Sequence, residues 1–441
     1  MTRLRPSTAL SRRLFLAAGT ASLASPFLAR PAIAADLDCV VVGAGASGLA
    51  AARSLQGAGL RIAVLEARDR IGGRAWTDEA PLGLPFDQGA QWLHAAEANP
   101  FMAVAETLGR TTHPSPLEDM RVLRGGRPVA DGPARLEEGA SDLEWALGWR
   151  MLLRGDFAVG AVPASDEWME VAARFLSFTM ATDPDALSVD DVAAFADGED
   201  RMVEGGLGRL VADYGAQVPV RLGAAVDRVA WDEGGGVTVS GPFGAVSARA
   251  AIVTIPTGVL RDGRVRFEPE LPPATRAAIE ALPMGRFAKI GLRLAAPLEG
   301  QPEYAFDIER ALRGEAVGLH LHPRLPLATA IVAGAHADAV ARMGPREREA
   351  MAVEALREAL DVAPEVIASA HYDWSSDPFA LGAYSVQAIG PGDPRSDYAE
   401  PVGERLFLAG DAARTAHPIS VGGAHESGTL AAARVAALLR G

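Results

Sequence analysis

A glycine-rich turn between an apolar run and a helix-forming segment constrains the fold of this chain more than any other feature. Residues 39–42, Cys-Val-Val-Val, are typical of a strand buried on both faces of a sheet. Residues 43–48, Gly-Ala-Gly-Ala-Ser-Gly, follow with GxGxxG spacing, and residues 49–58 predict a helix. Residues 62–65 predict a second strand, which ends at Glu66. The order of strand, glycine turn, helix and strand is typical of a dinucleotide-binding βαβ unit.

Each glycine of the turn has a physical role in holding a pyrophosphate. Gly43 permits the tight turn, Gly45 lets the phosphates approach the backbone, and Gly48 lets the helix lie close to the sheet. The helix N-terminus presents N–H groups and a positive dipole end, and Glu66 can accept hydrogen bonds from a ribose 2′-hydroxyl. A glycine-rich turn without a ligand is the alternative, which the flanking strands and the acid disfavour. The predicted cofactor-binding residues of this unit are Gly43, Gly45, Ala46, Ser47, Gly48, Glu66, Ala67 and Arg68.

Two motifs after the second strand indicate which dinucleotide is bound. Residues 70–74 read Arg-Ile-Gly-Gly-Arg, and residues 86–92 read Phe-Asp-Gln-Gly-Ala-Gln-Trp. Together they resemble the flavin-containing amine oxidase family, in which RxGGR follows the ribose acid and a GAxW turn lies close to the flavin. The resemblance implies FAD, with Gly73 close to it and Arg74 able to bind a phosphate through its planar guanidinium. The residues that these motifs add to the cofactor site are Gly73, Arg74, Gly89, Ala90, Gln91 and Trp92.

The C-terminal part of the chain resembles the same family. Residues 409–411 read Ala-Gly-Asp, and residues 423–428 contain the Gly-Ala and Ser-Gly pairs that follow this segment in the family. The resemblance implies that Asp411 binds the ribityl chain and that the last helix turns its positive end toward the flavin. It also implies that the backbone of Val226 meets the adenine. A helix cap without a ligand is the alternative. The residues added are Val226, Gly410, Asp411, Ser420 and Val421.

Lysine occurs once among the 42 lysine and arginine residues, at Lys289. It lies in a predicted strand, residues 287–293. Ala288, Ile290 and Leu292 alternate toward one face of that strand, so the lysine points to the other. An ammonium can hold a single water molecule or lose its proton on burial, which a guanidinium does poorly. In the family a lysine on this strand holds a water beside flavin N5, so the resemblance implies that Lys289 is catalytic. A surface lysine left by the arginine bias is the alternative.

Three residues are predicted to contact the substrate. His94 follows the GAxW turn as in polyamine oxidases, and Trp374 begins a W-x-x-DPF segment that resembles the family. Ser420 stands where mitochondrial monoamine oxidases have a tyrosine, so in this respect the chain is more similar to polyamine oxidases and lysine-demethylase-like members. A structural histidine is the alternative for His94. His320 and His322 can share a strand face, but no further ligand at metal-binding spacing supports a metal site.

The chain has one cysteine, Cys39, in the first predicted strand. An intramolecular disulfide is therefore impossible, and a buried structural thiol is expected. No cysteine lies near the C-terminal turn, so the cysteinyl–flavin link of mitochondrial monoamine oxidases cannot form. We therefore expect FAD to bind non-covalently.

The first 34 residues have the character of an export signal. Residues 11–16 match the twin-arginine motif, an apolar stretch extends to about residue 28, and residues 32–34 offer a small-x-small cleavage site. The stretch is interrupted by glycine, serine and proline and is too short for a stable membrane span. We expect the twin-arginine machinery to export the folded flavoprotein to a periplasmic or secreted location. An uncleaved anchor is the alternative.

The composition is that of a globular enzyme. The 441 residues suffice for two or three domains, and the chain is 49% hydrophobic and 22% charged. A net charge of −14 disfavours nucleic acid and anionic membranes as partners and mildly favours cationic ligands.

The patterns and the resemblance together predict an α/β fold with two domains. A Rossmann-like FAD-binding domain is expected from residues 36–95, 196–285 and 396–441. An α+β substrate-binding domain of the amine oxidase type is expected from residues 96–195 and 286–395.

Three segments carry more detailed expectations about secondary structure. Residues 99–195 are expected to be mostly helical, with an amphipathic helix at 166–180 and a surface loop between 125 and 139. Strands are expected at 224–229 and 237–239, joined by a glycine turn.

The resemblance implies the oxidation of a small amine substrate, primary or secondary and of polyamine or monoamine type. It also implies that a hydride passes from the amine to flavin N5, that the product is an imine giving an aldehyde, and that dioxygen reoxidises FAD to yield hydrogen peroxide. An L-amino-acid oxidase is the nearest alternative, although its carboxylate-binding arginine turn is replaced here by residues 89–92. A flavoprotein kept for partner binding, without turnover, is a second alternative.

Overall fold

The computed structural model describes residues 33–115, 120–195, 198–232, 235–322, 324–360, 364–413 and 415–440. The predicted export signal lies outside these ranges except for its last two residues, so it stays a prediction. Across the described ranges, no helix has both the length and the apolar character needed to cross a bilayer.

The strands of the described residues form four sheets, of eight, seven, three and two strands. In chain order they are β1 (Ile33–Val42), β2 (Ile62–Leu65), β3 (Thr77–Asp78), β4 (Phe86–Asp87), β5 (Trp92–Leu93), β6 (Thr112–Pro114), β7 (Met120–Arg124), β8 (Arg127–Pro128), β9 (Arg201–Val203), β10 (Val220–Arg221), β11 (Arg228–Asp232), β12 (Gly236–Gly241), β13 (Gly244–Val253), β14 (Arg266–Glu268), β15 (Phe287–Leu294), β16 (Tyr304–Asp307), β17 (Gly318–Leu321), β18 (Leu327–Ala333), β19 (Val366–Ala370) and β20 (Leu406–Leu408).

Several α-helices of the described residues pack against the two larger sheets. In chain order they are α1 (Ala46–Gly57), α2 (Pro100–Thr107), α3 (Gly132–Arg154), α4 (Glu167–Thr179), α5 (Val189–Ala194), α6 (Leu207–Gly215), α7 (Thr257–Arg261), α8 (Pro273–Glu280), α9 (Ile308–Leu312), α10 (Gly334–Arg342), α11 (Pro345–Leu360), α12 (Pro394–Ala399) and α13 (Val421–Arg440).

The eight-stranded sheet brings four parallel strand ends to one edge. Its order is β10-β2-β1-β13-β12-β11-β14, and β20 pairs with β13. Val42 at the end of β1 is in register with Leu65 and with Val253, and Val253 is in register with Leu408. The glycine turn, Glu66 and the 409–411 segment therefore leave the sheet at the same edge, where open α/β sheets bind their ligands.

Helices α1 and α13 pack together on one face of this sheet. Apolar residues of both helices, including Leu49 and Val435, share a core with strand residues such as Val41. The closest approach lies at Gly428, where a Cβ atom would stand 2.0 Å from the carbonyl oxygen of Ser47. The small residues of α13 thus let the last helix lie directly against the first turn of α1.

The seven-stranded sheet has the order β19-β15-β18-β17-β16-β7-β8 and is antiparallel except between β16 and β7. Ala288, Ile290 and Leu292 of β15 belong to a buried apolar cluster that includes Leu356 of α11. Lys289 alternates to the opposite face, as expected from the strand period.

Two of the expectations about secondary structure are wrong. The expected loop at 125–139 contains β8 and the start of α3. A Cβ atom at Gly139 would lie 2.4 Å from the carbonyl oxygen of Trp168, so this glycine serves helix packing. Residues 224–227 are not a strand. Ala224 N–H donates to the carbonyl oxygen of Glu66, which follows β2, whereas Asp227 N–H donates to the carbonyl oxygen of Ser240 in β12, so the segment follows no single neighbouring strand.

Helix α4 begins with a strong N-cap, which gives a testable stability effect. The Asp166 carboxylate accepts hydrogen bonds from the N–H groups of Trp168 and Met169, each at 2.9 Å. We expect Asp166→Ala to lower the free energy of unfolding by about 1 kcal/mol, measured by urea denaturation. The control is Glu170→Ala, which removes only an exposed ion pair with Arg174 and should cost about 0.3 kcal/mol. Equal effects of the two variants would contradict the capping role.

Candidate active site

A cavity of about 560 Å³ extends from the edge of the eight-stranded sheet to the face of the seven-stranded sheet that carries Lys289. Every residue predicted to bind a cofactor or substrate lines it, apart from Gly48. These lining residues are Gly43, Gly45, Ala46, Ser47, Glu66, Ala67, Arg68, Gly73, Arg74, Gly89, Ala90, Gln91, Trp92, His94, Val226, Lys289, Trp374, Gly410, Asp411, Ser420 and Val421.

The glycine turn is built by close backbone contacts. Gly43 has φ of +103°, and a Cβ atom there would lie 2.4 Å from Thr254 Oγ1. A Cβ atom at Gly48 would lie only 1.9 Å from the carbonyl oxygen of Gly43. Gly48 therefore allows the first turn of α1 to pack against the backbone of Gly43. It does not line the cavity.

Glu66 supports the turn from the end of β2. Its carboxylate accepts a hydrogen bond from Ala44 N–H at 2.7 Å and another from Arg68 N–H at 2.9 Å. The side chain is only 4% exposed, yet it contributes to the cavity wall. The acid thus holds two loops in place and still faces the space where a ribose is expected.

Three buried polar atoms on the cavity wall have no hydrogen-bond partner among the described residues. They are Ser47 Oγ at the start of α1, Gln88 Oε1 and Trp92 Nε1. Gly45, at the N-cap of α1, offers no side chain to cap the first N–H groups of that helix. Buried polar groups are normally satisfied, so this wall fits a long polar ligand with an anionic group at α1.

Arg74 and Asp411 form an ion pair across the cavity wall. Arg74 Nη2 lies 2.5 Å and Nη1 lies 3.2 Å from the two carboxylate oxygens, and Nη1 also donates to Ala383 O at 2.9 Å. Burial tends to raise the pKa of Asp411, but Arg74 outweighs it and holds that pKa below its usual range. The Arg74 guanidinium therefore contacts protein groups, and the phosphate contact expected from the sequence stays a prediction.

A fully buried arginine supports this segment from the protein interior. Arg395 forms an ion pair with Asp191 at 2.7 Å and donates to Ser385 Oγ and to the carbonyl oxygen of Asp411. No sequence motif indicated Arg395, because its partners are distant in the chain.

Lys289 reaches the cavity from the middle of β15. Its side chain is 5% exposed, Nζ donates to Gln91 Oε1 at 3.0 Å, and Nζ lies 5.7 Å from the centre of the Phe86 ring. Burial lowers the pKa of Lys289 to about 8, and the charge of Asp87 partly opposes this effect. A Cβ atom at Gly291 would lie 2.8 Å from the Phe86 ring, so this glycine admits the ring beside the lysine.

The end of the cavity near Lys289 is walled by aromatic and aliphatic side chains. Tyr384 Oη donates to Thr179 O at 2.6 Å, which fixes one of the rings. The other lining residues that sequence reasoning missed at this end are Phe178, Phe195, Phe287, Tyr304, Ile331 and Ile419. They come from separate helices, strands and loops. Only Tyr384 lies in a segment that resembles the family, Gly-Ala-Tyr-Ser at residues 382–385.

The three predicted substrate residues occupy different parts of the wall. His94 Nδ1 lies 2.9 Å from Asp200, which also lines the cavity. Trp374 Nε1 donates to Gln88 O at 2.8 Å and so packs against the GAxW turn. Ser420 Oγ accepts from Gly423 N–H at 3.0 Å and thereby caps α13.

Comparison with known proteins agrees with this geometry. The family model described as flavin-containing amine oxidoreductase matches residues 46–158 and 162–436. Polyamine oxidase 4 of Oryza sativa subsp. japonica is 30% identical over 432 residues, covering 89% of this chain and 87% of that protein.

Solved structures share the fold. Cyclohexylamine oxidase from Brevibacterium oxydans aligns with a TM-score of 0.76 at 22% identity, over 92% of this chain and 100% of that chain. Wild-type putrescine oxidase bound to putrescine aligns with a TM-score of 0.73 at 24% identity, over 91% and 99%. The predicted α/β fold class is confirmed, and the family match spans most of the sequence. The chain therefore belongs to the flavin-containing amine oxidoreductase family.

Proposed function

We propose that this chain oxidises a primary or secondary amine, of polyamine or monoamine type, with FAD held non-covalently in the cavity. The observation that carries the proposal is that the glycine turn, Asp411, the start of α13 and Lys289 all line one cavity. Family membership supports the flavin and the amine, and the relatives are named for polyamines, putrescine and cyclohexylamine.

The residues present fit each part of FAD. We infer that Glu66 binds the adenosine ribose, that the start of α1 binds the pyrophosphate, and that Val226 contacts the adenine. Asp411 would bind the ribityl chain, and the positive end of α13, capped by Ser420, would face the flavin ring. The chain's one cysteine, Cys39, is fully buried in β1 and does not line the cavity, which supports non-covalent binding.

The chemistry that FAD supplies when bound is acceptance of a hydride at N5 and, on reoxidation by dioxygen, release of hydrogen peroxide. The chain itself orients the amine. The rings of Phe178, Tyr304 and Tyr384 would hold the alkyl part and exclude water, so that the α-carbon faces the flavin. Loss of the hydride leaves an iminium, which water hydrolyses to an aldehyde and an amine or ammonia. Lys289 would hold a water molecule beside the reacting centre.

Among the described lining residues, no arginine is left without an acidic partner to bind the carboxylate of an amino-acid substrate. The arginines among the described lining residues are each paired with an aspartate. These pairs are Arg68 with Asp377, Arg74 with Asp411 and Arg264 with Asp262. An amine without a carboxylate therefore fits the cavity better.

A substrate panel tests the proposal. The purified protein is mixed anaerobically with putrescine, spermidine, cyclohexylamine and L-leucine while the flavin absorbance is followed. We expect at least one amine to bleach the flavin and L-leucine to leave it unchanged, with equal amounts of carbonyl product (a ketone from cyclohexylamine, an aldehyde from the others) and peroxide formed in air. Bleaching by L-leucine alone would indicate an amino-acid oxidase, and bound FAD that no compound bleaches would indicate a protein without turnover.

A further inference from the structure

A chain of three buried side chains runs from the cavity into the seven-stranded sheet. Lys289 Nζ donates to Gln91 Oε1 at 3.0 Å, and Gln91 Nε2 lies 2.7 Å from His320 Nδ1. The three residues are each 5% exposed or less. We propose that His320 is a positioning residue, which acts through Gln91 to hold the Lys289 ammonium at the cavity wall. The importance of this role for catalysis rests on the proposed function. The hydrogen bonds themselves do not depend on it.

Strand register places the lysine and the histidine on the same face of the sheet. Lys289 of β15 pairs with Ile331 of β18, and His320 of β17 pairs with Thr329 of the same strand. Ile331 and Thr329 are two positions apart, so their neighbours point to the same side. The Gln91 side chain, from the GAxW turn, bridges the gap between them.

The order of donors and acceptors makes the three groups depend on one another. An ammonium only donates, so Lys289 requires the oxygen end of the Gln91 amide. The amide nitrogen end then faces His320 Nδ1, which must accept and must therefore carry no proton. If the amide turned over, its NH₂ group would face the ammonium. Neutral His320 with its proton on Nε2 thus selects the amide orientation that stabilises charged Lys289.

The electrostatic surroundings keep His320 neutral. Burial lowers the pKa of His320 well below its usual value, and His322, Lys289 and His113 act in the same direction. His322 lies with its ring centre 3.9 Å from that of His320, and burial lowers the pKa of His322 to about 4. On the other side Asp87 raises the pKa of Lys289 against the effect of burial. No group of three or more His, Cys, Asp or Glu side chains within the described ranges is arranged to hold a metal.

The single lysine of the sequence allows a direct test. Protein grown with ¹³C-labelled lysine gives one lysine side-chain NMR signal, from Lys289, whose pH titration needs no assignment. The FAD-loaded protein as isolated is used, without amine. We expect His320→Leu and Gln91→Leu each to lower the pKa of Lys289 by about one pH unit, because the charged form loses its oriented acceptor.

Two matched variants separate positioning from packing. His320→Asn keeps an acceptor in reach of the Gln91 amide, so the Lys289 titration should stay at the wild-type value. Thr329→Val removes a buried hydroxyl, on the same face, that has no partner among the described residues, and it should also leave the titration unchanged. Failure of His320→Asn to restore the titration would overturn the proposal.

A double-variant cycle tests whether His320 acts through Gln91. In the Gln91→Leu background, His320→Leu should shift the titration no further. An additional shift, or an unchanged titration in folded His320→Leu, would overturn the proposal. If His320→Leu does not fold, Gln91→Leu decides, and a wild-type titration in that variant overturns it. Because no amine is present, these outcomes are independent of whether the protein oxidises amines.

Discussion

Gly48→Ala should weaken FAD binding about 100-fold, which corresponds to about 2.7 kcal/mol. The added Cβ atom would stand 1.9 Å from the carbonyl oxygen of Gly43, and both atoms belong to backbone segments that cannot move independently. The start of α1 must shift away from the turn, and its N–H groups then no longer face the pyrophosphate. The measurement is the dissociation constant of FAD from the variant and from the wild-type protein, obtained by adding FAD to each apoprotein and following the quenching of flavin fluorescence.

The control for this variant lies at the other end of the same helix. A Cβ atom at Gly57 would meet nothing within 4 Å, so Gly57→Ala should bind FAD like the wild type. Circular dichroism confirms that both variants are folded. Wild-type affinity in folded Gly48→Ala would show that the turn is not the phosphate site.

Lys289→Met should slow flavin reduction by amine, flavin reoxidation, or both, by about 100-fold. Methionine matches the shape of the lysine but can neither hold a water molecule through an ammonium nor move a proton. The substitution also affects Asp87. In the wild-type protein the Lys289 charge lowers the pKa of that buried carboxyl, and the variant loses this effect. We therefore expect Asp87 to bind a proton more readily in the variant. Stopped-flow absorbance measures the two half-reactions separately.

Arg293→Met is the matched control, since it removes a cation from the same face of β15, outside the cavity. Arg293 donates to Leu82 O, and its loss should leave both half-reactions near the wild-type rate. Unimpaired reduction and reoxidation in Lys289→Met would remove Lys289 from the mechanism.

Local patterns were sufficient to predict the residues that line the cavity at the edge of the eight-stranded sheet. The strand, glycine turn, helix and acid between residues 39 and 66 are contiguous, so their spacing alone determines which backbone groups converge. Lys289 was identified by its rarity in the chain and by its alternation along β15. The turn and the strand alternation depend on residues close in sequence, and the rarity of lysine is a matter of composition, so neither signal requires a long-range contact.

Long-range contacts were not accessible from the sequence. Arg74 forms an ion pair with Asp411, 337 positions away in the chain, and no local pattern indicates this pairing. The link from Gln91 to His320 depends on the register of three strands, which no local pattern encodes. Glycine and charge in the 125–139 segment suggested a loop, but Gly139 is needed where two helices touch.

The central claim is that one FAD spans the cavity from the glycine turn to Lys289, and a crystal structure of the FAD-loaded protein tests it most directly. The account predicts a yellow protein with the pyrophosphate at the start of α1, the flavin ring at the start of α13, and N5 on the side of Lys289. A colourless protein that does not take up FAD, or a flavin ring bound away from Lys289, would contradict it.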